Sequence, residues 1–313
     1  MIKVARSTSY RSNRIIAGGL LVATVALGLS TAAQAQTLDR IRSAASVKLG
    51  YDPDARPFSF KAEGENATGY SAALCIKVVE ELKGELGRAD LAVEWIPLAN
   101  EAAYQAVQDG SIDLFCGAEP VSLTRRKEVS FSVPIFPSGT GAVLSTSAPV
   151  ALREVLTYGQ PSDRPIWRGS PARTLLERKT FSPIAGTTSE GWLAERIKTF
   201  QLSATVVPVE TYDQGIENVL NGNSNVLFGD LPLLLDAAAR SESSGNLIVL
   251  ERHFTYEPLG LVLARNDEDF RLVVDRALSG AYRSEDFRAF FTEWFGPPDE
   301  SIVTFFRQTT LPE

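Results

Sequence analysis

Between residues 46 and 117, short apolar runs alternate with longer stretches of helical periodicity. That alternation restricts the fold more than any other feature of the chain. Residues 46–50 read as a strand, and 71–86 as a helix with Leu74, Val78, Val79 and Leu82 on one face. Residues 89–98 then read as a strand, 100–110 as a helix and 111–117 as a strand. Gly87 and Gly110 suit the carboxyl ends of the two helices, and Asn100 suits an amino-terminal cap. Such an order implies parallel strands joined by crossover helices. Ligands of such sheets collect outside the carboxyl ends of the strands. A short helix precedes the unit, and a polar turn around Gly64 and Asn66 predicts a hairpin within the first crossover.

The same order recurs between residues 182 and 241 without obvious sequence repetition. Residues 131–145 read as extended chain with glycine hinges, and 149–183, with five prolines, as loop-rich and irregular. Residues 247–266 read as strands leading back, and the rest of the chain as helices. Two α/β lobes follow, with more than one crossing between them.

The amino terminus indicates where the protein works. Lys3, Arg6, Arg11 and Arg14 precede an apolar run at 15–33, which closes on Ala33-Gln34-Ala35. This is the layout of a secretory signal peptide cleaved after Ala35; a membrane anchor is the alternative, since the run is just long enough to span. Cleavage lowers the formal charge from −7 to −11, because residues 1–35 hold four cations and no acid. So acidic a chain disfavours nucleic acid and anionic lipid as partners. The two cysteines, Cys75 and Cys116, form a candidate disulfide in an exported protein, with two separate buried thiols as the alternative.

Three stretches could carry chemistry. Arg125 and Arg126 follow the third strand and could clamp a carboxylate or simply start a solvated helix. Thr187 and Thr188 stand at the amino end of a helix after Gly186, which suits an anion or an ordinary cap. Asp230 ends an apolar strand before a proline-started helix and could take an ammonium group or cap that helix. Catalysis finds little support. His253 is the only histidine, and there is no nucleophile elbow, phosphate-binding loop or zinc-spaced cysteine cluster. No catalytic residue, metal site or cofactor is expected.

"LGYDPDARPFSF", "DGSIDLFCG…LTRRKEVSFSVPIF", "AGTTSE", "FGD" and "YEPLGLVLARNDEDF" occur in one order and at one spacing. Together they resemble the periplasmic amino-acid-binding proteins of ABC importers over most of residues 38–297. The resemblance implies a two-lobed periplasmic-binding-protein-like α/β fold, each lobe a mixed sheet flanked by helices, with a two-strand hinge. Residues 36–142 and 256–313 would form lobe 1, and 143–255 lobe 2. It implies a monomer that closes on one small-molecule ligand and delivers it to a membrane permease. Arg125 would grip a ligand carboxylate, Thr188 would give it an N–H with Thr187 alongside, and Asp230 would take the ammonium. Asp52, Phe58, Ala118, Glu119 and Pro120 would complete the wall.

The chain departs from the family pattern at several of these positions. Ala118, Glu119 and Pro120 replace a segment that usually starts with Ser or Thr, and proline offers no N–H. Ala55 replaces an aromatic residue. Branches that take acidic amino acids often carry arginine where Asp52 stands and another near Ala103. Asp52 looks instead like branches that take cationic side chains. A periplasmic receptor for an amino-acid-like or amine-containing ligand is therefore expected. The alternatives are a dehydratase-like enzyme with Glu119 as acid or base, and a sensory ligand-presenting module.

Overall fold

Val47 and Leu49 are fully buried on strand β1 (Ser46–Tyr51), which follows helix α1 (Thr37–Ala44). The structure, a computed structural model, describes residues 37–61, 64, 66–98, 101–159 and 171–312. Strands β2 (Asp54–Ala55), β3 (Ser59–Lys61) and β4 (Ala67–Thr68) form a small antiparallel sheet where the hairpin was expected. Helix α2 (Tyr70–Leu86) then buries Leu74, Val78, Val79 and Leu82, the face its periodicity predicts. Gly87 ends it in the left-handed region at φ 62°, and the amide of Arg88 bonds back to the Lys83 carbonyl.

The first sheet continues through β5 (Ala92–Pro97), helix α3 (Glu101–Asp109), β6 (Leu114–Pro120), β7 (Ser130–Phe131) and β8 (Phe136–Ser138). β1 pairs in parallel with both β5 and β6, so α2 and α3 are crossover helices. The strand first in sequence, β1, thus lies between β5 and β6, and the switch point falls between the carboxyl ends of β1 and β6.

The chain changes sheets at Gly139. Strand β9 (Thr140–Ser145) belongs to a second sheet, followed by α4 (Val150–Tyr158), α5 (Pro171–Leu176) and β10 (Thr180–Pro183). Next come α6 (Thr188–Phe200), β11 (Thr205–Val206), α7 (Tyr212–Leu220), β12 (Val226–Asp230), α8 (Leu231–Arg240) and β13 (Leu247–Val249). The strand order is β11-β10-β12-β9-β13, with β10 parallel to β11 and β12. The second switch point therefore lies between the ends of β10 and β12. Strand β14 (Glu257–Leu263) returns to the first sheet, and α9 (Glu268–Arg283), α10 (Phe287–Phe295) and α11 (Glu300–Thr309) close the chain.

Two readings of the sequence need correction. The segment 149–183, read as irregular, holds α4, α5 and β10; in α4, Leu152 and Leu156, four apart, are buried, and Pro149 sets the helix start. β6 runs on through Glu119 and Pro120, which pair with Gly260 and Leu259 of β14. A partner strand about 140 residues away supplies those pairings, so no local pattern announces them. The signal peptide, Asn100 and residues 160–170 lie outside the described residues.

The two crossing segments lie side by side. Thr140 donates its amide to Thr255 Oγ1 at 2.8 Å, and Phe254 donates its amide to the Thr140 carbonyl. A Cβ at Gly139 would stand 2.0 Å from the Thr255 carbonyl oxygen, where only backbone could yield. Gly139→Ala should therefore lower unfolding free energy by about 1–3 kcal/mol, as overpacking does. An unchanged midpoint in urea denaturation would show that the crossing has room for the methyl group.

Candidate functional site

The switch points of both sheets bring Asp52, Glu119, Thr188 and Asp230 to strand or helix ends. Asp52 follows β1. Its amide donates to Ser59 Oγ at 3.1 Å, and its Oδ1 accepts the Asp54 amide at 2.9 Å. Burial pushes its carboxyl up to about 6; the Asp54 bond opposes this, and the charge of Glu119 adds to it.

Glu119 Oε2 accepts two bonds, from Arg125 Nη1 at 3.0 Å and from the Tyr104 hydroxyl. The same Nη1 donates to the Pro120 carbonyl at 3.2 Å, and the guanidinium lies over the Tyr104 ring, 5.3 Å from its centre. Burial and then the Glu119 charge hold the Tyr104 phenol far above its ordinary range, so it remains a proton donor. The Arg125 and Glu119 side chains are only 16% and 13% exposed, whereas Arg126 is exposed. A 3-10 turn at Arg125–Lys127 sends the first arginine inward and the second outward.

Across the gap, Asp230 is buried at the end of β12. Its side chain makes no capping bond to α8, although it occupies the cap position. Ser138 Oγ donates to Oδ1 at 3.3 Å, and the Asp230 amide donates to the Tyr212 hydroxyl at 3.2 Å. Burial, then the charges of Glu257 and Glu119, push this carboxyl up to about 7, against the opposing pull of Arg125. Both sheets thus present charge to one space.

Thr187 and Thr188 begin α6, but their hydroxyls are turned to the chain itself. Thr187 Oγ1 donates to the Ile184 carbonyl at 2.7 Å, and Thr188 Oγ1 to Glu257 Oε2 at 2.5 Å. Thr255 Oγ1 donates to the other oxygen of Glu257 at 2.6 Å. Ala118 is half-buried beside Glu119, and Pro120 is buried. Phe58 stands apart from the charged cluster. Its ring is fully buried among Phe136 and Phe295, with centroids at 5.2 and 5.4 Å. It belongs to the aromatic core that seats α10.

Tyr104, Ser138, Tyr212 and Glu257 were not singled out from the sequence. Glu257 stands inside a quoted motif, but only its strand pairing opposite Ser138 brings it to the site. Tyr104 sits on the buried face of an amphipathic helix, where an aromatic reads as core. Among the described residues, no group of three or more His, Cys, Asp or Glu side chains is placed to hold a metal ion.

Two mixed α/β sheets, crossed twice by the chain and facing charged strand ends towards one another, define a two-lobed ligand-binding protein. The chain belongs to the bacterial extracellular solute-binding proteins, family 3, whose model matches residues 47–297. A glutamate/aspartate import solute-binding protein of Salmonella typhimurium is 24% identical over 290 residues, 91% of this chain and 89% of that one. An L-glutamate/L-aspartate-binding protein of Pseudomonas aeruginosa is 27% identical, over 84% and 80% of the two chains. Among solved structures, an ancestral amino-acid-binding protein, described as a precursor of cyclohexadienyl dehydratase, superposes with TM-score 0.65 at 22% identity. It covers 83% of this chain and 100% of its own. An ancestral arginine-binding protein bound to arginine gives 0.63 at 19% identity, over 80% and 99%. Likeness at such identities carries the fold and not the ligand.

Proposed function

We propose that this chain is exported with cleavage after Ala35, captures a small cationic, amine-bearing solute between its lobes, and presents it as a monomer to an ABC permease. Lobe 1 comprises 36–142 and 256–313, and lobe 2 comprises 143–255. Arg125, Thr187, Thr188, Asp52, Ala118, Glu119, Pro120 and Asp230 line the cleft, joined by Tyr104 and Glu257. The names of the relatives support import of amino acids in general. One observation favours a cation over glutamate or aspartate. Among the described residues, Asp52, Glu119, Asp230 and Glu257 face a single guanidinium, which Glu119 already engages. A further carboxylate in that space meets repulsion, whereas a cation relieves it. Capture works by differential binding to the closed arrangement of the lobes, with no bond broken.

The test is thermal shift and calorimetry on the mature chain. Lysine, arginine or simple amines should raise the melting point, by about 2.7 kcal/mol of stabilisation at a hundredfold excess over Kd, while glutamate and aspartate should not. Affinity should rise from pH 5.5 to 8. Asp52 and Asp230 carry protons at the acid end, since burial holds them near 6 and 7, and a neutral carboxyl attracts a cation only weakly. Stabilisation by glutamate exceeding that by every cation would contradict the assignment. Recovery of a chemically altered solute would favour the dehydratase-like alternative.

A further inference from the structure

The hydrogen-bond accounting of the cleft restricts the ligand further. Among the described residues, several side-chain donors around it serve acceptors of the chain, while Arg125 Nη2 and Nε stay open to a further acceptor. Arg125 Nη1 and the Tyr104 hydroxyl both serve Glu119, and Nη1 also serves the Pro120 carbonyl. The Thr187 hydroxyl serves the Ile184 carbonyl, Thr188 and Thr255 serve Glu257, and Ser138 serves Asp230. Pro120 has no N–H to give.

Acceptor capacity, by contrast, is in surplus. Among the described residues, the buried Asp230 and the half-buried Asp52 have no cationic partner at bonding distance: Asp230 accepts one long bond from Ser138, and Asp52 accepts one amide. Counted as ionised, the four carboxylates and one guanidinium leave three negative charges.

Building on the cation reading above, we propose that the ligand is an organic dication without a carboxylate, an α,ω-diamine or a guanidino-amine. Glu119 supplies internally the carboxylate that Arg125 would otherwise take from the ligand. The Glu119–Arg125 pair is fastened from three sides: the ion pair, the Tyr104 hydroxyl and the aromatic face beneath the guanidinium. A ligand carboxylate that displaced Glu119 from Arg125 would leave Glu119, largely shielded from water, with the Tyr104 hydroxyl as its remaining partner and no cation, and stripping the counter-charge from a shielded pair is unfavourable. A carboxylate that spares this pair has only the outer N–H groups of a guanidinium already neutralised by Glu119 and the first turn of α6, whose dipole amounts to roughly half an elementary charge. A dication instead meets Asp52 and Glu119 from one sheet and Asp230 from the other, and reduces the surplus from three charges to one.

Matched pairs that differ only by the α-carboxylate test this directly. Cadaverine against lysine, putrescine against ornithine, and agmatine against arginine would be titrated calorimetrically into the mature chain at pH 8. In the pair whose length fits, the decarboxylated member should bind at least about tenfold tighter, a difference of about 1.4 kcal/mol. If the amino acid of each pair binds as tightly or more tightly, the inference fails and cation capture stands. If no member of any pair binds, both fail. Glu119→Gln should release Arg125 and move the preference at least tenfold towards the amino acid, with circular dichroism confirming the fold. Should that variant not fold, Tyr104→Phe loosens Glu119 and should move the preference the same way by a smaller factor. A preference that stays put in the folded variant overturns the role given to Glu119.

Discussion

Asp230→Asn should make the ligand-free protein more stable while weakening capture of a cation by about 2 kcal/mol, roughly thirtyfold. The two effects share one cause. Asp230 is buried at a strand end, with Glu257 and Glu119 near enough to disfavour its charge and only a long bond from Ser138 to favour it. Its native carboxyl sits near 7, above the ordinary 3.8. A raised carboxyl lets the native state bind more protons than the unfolded state. Its contribution to stability is therefore intact below pH 3.8 and is lost as pH rises through 7. Asparagine keeps the shape and removes the charge. The gain in stability should be largest near pH 8 and vanish near pH 4, as read by urea denaturation at the two pH values. A cation loses its buried counter-charge in the same variant, which calorimetry measures. Equal affinity in both proteins, or a variant less stable at pH 8, would show that this carboxylate is not held for an ammonium.

Removing the Cys75–Cys116 disulfide should have the largest effect on stability. The bridge joins α2 to β6, with Cα atoms 6.2 Å apart and 41 residues of separation. Loop-closure entropy for such a span amounts to about 4 kcal/mol. For a chain of this size, that corresponds to a fall in melting temperature of about 10 °C. Local packing adds to it, because both cysteines are fully buried. β6 carries Glu119 three residues beyond Cys116, so the double Cys→Ala variant should also bind ligand less tightly. Scanning calorimetry of the variant beside the oxidised parent measures the first effect. Two titratable thiols in unfolded, unreduced parent protein would show that the bridge does not form.

Periodicity located the elements whose pattern is local. Leu74, Val78, Val79 and Leu82 lie four, one and three residues apart, so one helix face carries them whatever it packs against, and α2 buries all four. The order of strands and helices likewise implied parallel pairing and a ligand site at strand ends, and Asp52, Glu119 and Asp230 stand there. Legibility ended where partners are distant in sequence. Phe58 looked like a wall residue beside Asp52, yet rings from β8 and α10 enclose it. Glu257 looked like a strand residue until two threonine hydroxyls from α6 and the second crossing met it. The short helix α4 was hidden in a proline-rich stretch, because its signal is only the pair Leu152 and Leu156.

By itself, then, the sequence determined the class of fold, the positions of its crossover helices and the pairing of one carboxylate, Glu119, with arginines beyond the third strand as candidates for the site. These follow from side-chain periodicity and composition, which act over a few residues. Only the tertiary structure decided that Arg125 is already held by Glu119 and Tyr104, and that Asp230 faces Glu257 across the gap. Those relations depend on distance through space and on exclusion of water, since burial sets both the strength of an ion pair and the cost of an unpaired charge.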